Sequence, residues 1–122
     1  MTEFIPLGPV KRYKGEVDGT VWVEGYRNNR RTLHPLRPRL DLRNHSPTGF
    51  NWGYGGSGPA QLALALCADA LGDDAMALAV YQRFKFKIVG RLPRNETWVL
   101  SAEEISAVAR ALATEGEVKP CE

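Results

Sequence analysis

A single stretch, Gly49-Phe50-Asn51-Trp52-Gly53-Tyr54-Gly55-Gly56-Ser57-Gly58-Pro59-Ala60-Gln61, limits what this chain can become. Phe50, Trp52 and Tyr54 alternate with small or polar residues, which is the period of a strand. A glycine-rich turn follows and leads into Leu62–Leu71, a nearly uninterrupted apolar run of good helix formers. A helix apolar on every side must be buried on most sides. The rest of the chain therefore has to supply a layer for that helix to sink into. Five of the twelve glycines and three of the eleven aromatic residues lie between residues 49 and 61, so any site is expected here too.

The layer is expected upstream. Lys11–Gly15 reads as a short strand, Val17-Asp18-Gly19-Thr20 as a hairpin turn, and Thr20–Gly25 as the clearest strand. Val21 and Val23 share one face of it; Trp22 and Glu24 share the other. Arg27–Arg31 is a polar turn and Thr32–His34 a third short strand. Leu36–Pro47 carries Arg37, Arg39 and Arg43, and the prolines from 35 to 47 argue for an ordered loop. Met1–Val10 reads as an irregular lead-in.

Downstream the pattern turns helical. Gly72 is placed to end the first helix, and Asp73 or Asp74 to cap the second. That second helix would bury Met76, Ala79, Val80, Phe84 and Ile88, although Phe84–Ile88 also alternates like a strand. A strand at 96–100 follows, then the capping box Ser101-x-x-Glu104, a third helix burying Ile105, Val108, Ala109 and Leu112, a stop at Gly116, and a frayed tail from Glu117. The expectation is one α+β domain over residues 1–122. It has a small, mostly antiparallel sheet and about three helices, at 59–71, 75–89 and 102–114, on one face.

Charge and cysteine content narrow the function classes. Residues 1–58 hold nine Lys/Arg against five Asp/Glu, whereas residues 59–122 hold seven against nine. A mildly basic half suits phosphate-bearing partners but lacks the dense clustering of a dedicated nucleic-acid binder, so nucleic acid is expected to bind weakly. No apolar run reaches membrane length and no secretory leader is visible, so no membrane partner is expected. Of the two cysteines, Cys67 falls in the apolar helix as a small core residue and Cys121 in the tail, which fits a reducing, cytoplasmic location. His34 and His45 lack partners at metal-ligand spacing, and no nucleophile–base pair is marked. No catalytic residue, metal or cofactor is expected.

Gly53–Gly58 matches G-x-G-x-x-G between an expected strand and helix. A dinucleotide fold is nevertheless rejected: the chain lacks βαβ alternation, and Pro59 removes a donor from the helix start. Two readings stay open. In one, the glycines make a tight turn, Ser57 caps the helix and the aromatics fill core. In the other, a phosphate-bearing ligand such as a nucleotide sits on the Gly55, Gly56, Ser57 and Gly58 backbone, with Trp52 and Tyr54 as stacking faces and Arg37, Arg39 or Arg43 closing over it. The leading functional expectation is this ligand-binding module. The alternative is a protein-interaction module that inhibits a host protein complex through the basic segment 27–43. The oligomeric state is open, with a homo-oligomer among the expectations.

The run Gly-Phe-Asn-Trp-Gly-Tyr-Gly-Gly-Ser-Gly-Pro-Ala-Gln-Leu-Ala-Leu-Ala-Leu at 49–66 resembles the family of unknown function DUF6166. So do Val21-Trp22-Val23, Tyr81, Phe84-Lys85, Leu92-Pro93 and Trp98-x-Leu100. The resemblance brings no activity and no catalytic residues. It implies a prokaryotic protein, also carried by phages and other mobile elements, and hence a small accessory or anti-defence role.

Overall fold

The computed structural model describes residues 10–117. The expectations for Met1–Pro9 and for the tail beyond Glu117 lie outside them. Four strands, β1 (Arg12–Gly15), β2 (Val21–Arg27), β3 (Arg30–Pro35) and β4 (Trp98–Ser101), form one antiparallel sheet in the order β3-β2-β1-β4. Three helices, α1 (Ser57–Leu71), α2 (Asp74–Lys87) and α3 (Ala102–Glu117), and a 3-10 turn at Val89–Arg91 complete the α+β fold.

The two hairpins follow from turn chemistry. At the first, Gly19 takes a positive φ of 95° and Asp18 accepts from both the amide and the hydroxyl of Thr20. Those bonds hold the Asp18 carboxyl below the usual carboxylate range. At the second, Asn28 and Asn29 both have positive φ, 54° and 65°, which is the two-residue turn whose twist matches the strands it joins. The turn is thus tighter than the sequence suggests, and β3 is longer.

Strand pairing sorts side chains by face. Tyr13, Val21, Val23 and Trp98 point to the helices and are buried; Arg12, Lys14, Glu24 and Val99 point away. α1 lies in the middle of the core with every residue from Pro59 to Ala68 buried. Gly72 closes it in the left-handed conformation, and Asp73 caps α2 by accepting from the Met76 amide at 3.0 Å. The capping box at Ser101 and Glu104 forms with both reciprocal bonds, at 2.8 and 2.9 Å.

Four expectations are corrected. Residues 50–54 form no strand: Phe50, Trp52 and Tyr54 do not share a face, because Trp52 turns inward while Tyr54 stays exposed. The left-handed φ of 86° at Gly53, with φ 152° at Gly49, breaks the extended run there. Ser57 does not cap α1; Gly56 occupies that position without a side chain, and Ser57 is already helical. On α2 the buried residues are Ala77, Val80, Tyr81 and Phe84, so Ala79 faces solvent. α3 runs through Gly116 rather than stopping there.

Candidate functional site

The glycine-rich segment is strapped to the helix-to-strand connection between α2 and β4. The Gly53 amide donates to the Val89 carbonyl at 3.0 Å, and the Trp52 indole donates to the Pro93 carbonyl at 3.1 Å. Trp52 is buried and meets Trp98 edge to face, with ring centroids 5.5 Å apart. It therefore offers no free face to a ligand. The glycines are consumed by close approach. A Cβ on Gly53 would lie 2.1 Å from the Arg94 side chain, one on Gly56 2.8 Å from the Tyr54 ring, and one on Gly58 2.7 Å from Asn51 Cβ. A Cβ on Gly55 would only touch the Phe86 ring, at 3.6 Å. Tyr54 keeps one partly exposed face, but Arg94 lies over its ring at 5.1 Å. Ser57 makes no capping bond.

The arginines do not close over this turn. Arg39 adopts φ 59° and spans two carboxylates, Asp41 at 3.0 Å and Asp74 at 2.8 Å. Hydrogen bonds from Arg39 hold both carboxyls below the usual range, and Asp41 and Asp74 in turn push the guanidinium pKa upward. Arg37 and Arg39 line a hollow with Ala68, Asp69, Gly72 and Asp74 at the C-terminal end of α1. Fifteen residues of helix, about 22 Å, separate that end from Gly56. Arg43 reaches the first turn of α1 only through its backbone: its carbonyl accepts from Gln61 Nε2 at 3.0 Å, while its side chain donates to the Leu42 carbonyl.

Gln61 is what the sequence reading passes over. It is the buried polar side chain of the core among the described residues. Its carbonyl oxygen accepts the amides of His45 and Ser46 at 2.7 and 3.0 Å, and its amide donates to the carbonyls of Pro38 and Arg43 at 2.6 and 3.0 Å. One glutamine thus pins both ends of the arginine-bearing loop to α1. The available signal was a single uncharged polar residue opening an apolar helix. His45, whose Nε2 lies 2.7 Å from the Tyr81 hydroxyl, belongs to the same anchoring.

The concave basic feature lies instead under the β2–β3 hairpin. β3 projects past the helices, and a groove of about 590 Å³ opens there, lined by Lys11, Val23, Gly25, Tyr26, Arg27, Thr32 and His34. Gly25 forms its floor: a Cβ there would meet only Thr32 Oγ1, at 3.4 Å. Lys11 shares Asp69 at 2.7 Å with the buried Tyr13 hydroxyl, whose pKa burial pushes up. Arg27 has no carboxylate partner among the described residues, whereas Arg31 pairs with Glu24 at 3.3 Å. The described residues contain no cluster of three metal-ligating side chains, and no helix long and apolar enough to cross a membrane.

An open four-stranded antiparallel sheet backed by three helices, with a basic groove under its outer hairpin, defines the class: a small α+β domain. Within that class the chain belongs to DUF6166, a family of unknown function, whose profile matches residues 13–111. The match takes in all four strands in whole or nearly so, α1 and α2, and bears out the resemblance carried by the central glycine-rich run. No curated protein and no solved structure matches the chain.

Proposed function

We propose that this protein is a small binding module that holds a phosphate-bearing molecule, a nucleotide or a close relative, in the groove beneath the β2–β3 hairpin. The supporting observation is the lining: two cations, Lys11 and Arg27, with the His34 ring and the Thr32 hydroxyl on the same face of the sheet around a floor without a side chain, and Tyr26 at the edge. Lys and Arg supply charge for phosphate oxygens, a hydroxyl supplies a donor, and an aromatic face accepts a base. The groove volume suits a small ligand. In the phage or mobile-element setting that the family resemblance suggests, such a module would sequester a nucleotide signal in the cytoplasm.

Calorimetry and thermal shift with a panel of nucleotides and cyclic nucleotides test this reading. Gly25→Leu fills the groove without requiring a positive φ, and Arg27→Glu reverses its charge. Both variants should lose at least about tenfold in affinity, 1.4 kcal/mol. Absence of binding by the native protein to every member of the panel would end it.

A second reading rests on exposed apolar residues among the arginines. Leu33 and Leu40 are exposed on the same segment that carries Arg30, Arg31, Arg37 and Arg43. That mixture suits an acidic protein surface, and the module would then inhibit a host protein. Loss of a captured partner on Arg30/Arg37/Arg43→Glu, with nucleotide binding unchanged, favours this second reading.

A further inference from the structure

We infer that β4 is the seam of a symmetric homodimer, in which Val99 of one copy pairs with Val99 of a second. The inference starts from the ladder. The Ala102 amide donates to the Lys11 carbonyl at 2.9 Å, and the register pairs Tyr13 with Leu100 and Gly15 with Trp98. Hydrogen-bonded pairs alternate along an antiparallel ladder. Leu100 and Trp98 therefore spend their backbone groups on β1, and Val99 and Ser101 turn theirs outward. The outward amide of Ser101 is already taken by the Glu104 carboxylate at 2.8 Å. The amide and carbonyl of Val99 are left on the open edge.

The two edges of the sheet are built differently. β3 ends in Pro35 and carries Arg30 and Arg31, devices that discourage strand addition. β4 reads Trp-Val-Leu-Ser, without charge or proline, and its Val99 side chain is 54% exposed. Beside it lies an apolar groove of about 380 Å³ between α2 and α3, lined by Phe84, Ile88, Leu100, Ile105, Ala107 and Val108, with Glu104 on its rim. A four-residue strand alone falls short of the roughly 600 Å² per partner that a stable interface buries, so the partner must cover this groove as well.

Charge complementarity selects a second copy as the occupant. Arg91 and Arg94, with the single carboxylate Glu96, precede β4, and Glu103 and Glu104 follow it, so the approach is net basic and the exit acidic; all five are exposed. Among the described residues none of them is in an ion pair. A two-fold axis at Val99 runs the strands antiparallel and brings the net basic approach of one copy toward the acidic helix start of the other, where Glu104 caps its own helix at Ser101 and Glu103 is left to meet Arg94. Symmetry makes that contact twice.

Sedimentation equilibrium on the full chain tests the seam. A dimer is expected. Val99→Pro removes an amide that no internal bond uses, and edge positions accept proline, so the fold should survive while the dimer dissociation constant rises at least about tenfold. Arg94→Glu should weaken the dimer and Glu103→Arg should restore it in the same chain, a readout that stands even if the proline variant fails to fold. A monomer at every concentration would leave the edge to a foreign peptide and overturn the inference. So would a dimer untouched by both Val99→Pro and Arg94→Glu, which would place the interface elsewhere.

Discussion

At the residue scale the decisive side chain is Gln61. A buried polar group is tolerated only when its bonds are made, and here all four are. Gln61→Leu keeps the volume but strands two amides and two carbonyls of the loop, so the variant should lose about 3 kcal/mol in denaturant unfolding, with the arginine loop becoming protease-sensitive. Gly53 is the second such residue. Its φ of 86° and its contact with Arg94 leave no room for a methyl group, and Gly53→Ala should cost about 2 kcal/mol or more by the same measurement. Both positions stand in the stretch that the sequence marked as important. The kind of importance was not legible there. A glycine reserved for a ligand and a glycine reserved for a neighbouring side chain look identical until the neighbour is known, and Arg94 lies 41 residues away in sequence.

At the scale of elements, helix starts separate what spacing predicts from what it does not. Asp73 and the Ser101–Glu104 box are local devices, complete within four residues, and both form as read. Ser57 fails as a cap because three glycines nearby let the chain enter α1 one residue earlier. Asp73→Ala should therefore cost about 1 kcal/mol in thermal unfolding, whereas Ser57→Ala should fall within about 0.5 kcal/mol of the native protein. Arg39 ties the loop to the start of α2 and gives a pH signature. Its bonds depress the Asp41 and Asp74 carboxyls, so their contribution is present above the ordinary carboxylate pKa of about 4 and fades as pH falls through the lower folded values. Arg39→Met should thus be destabilising at neutral pH and indistinguishable from the native protein in strong acid.

For the whole molecule, α1 is the axis around which sheet, α2 and α3 are assembled, and Cys67 reports on that assembly. Burial pushes its thiol pKa up to about 12. In a Cys121→Ser background a thiol reagent should leave the native protein unlabelled, and the labelling rate should follow global unfolding as denaturant is added. Fast labelling without denaturant would mean that α1 opens locally.

By itself, the sequence determined the parts that local chemistry decides: the hairpin turn at Gly19, a turn within Arg27–Arg31, the caps at Asp73 and at Ser101–Glu104, the αL end at Gly72, the buried helix and the α+β class. It also carried the family, because the glycine-rich run is specific as a string. Only the tertiary structure decided what that run does. It is a packed joint, with Trp52 buried against Trp98 and its glycines filled by Tyr54, Asn51 and Arg94. Tertiary structure likewise set Arg39 against Asp74 at the far end of α1 and opened the basic groove between Lys11, Arg27 and His34. The physical reason is common to all three. Caps, turns and periodicity depend on residues a few positions apart, whereas a site is made by residues that meet only after the sheet has formed and the helices have packed.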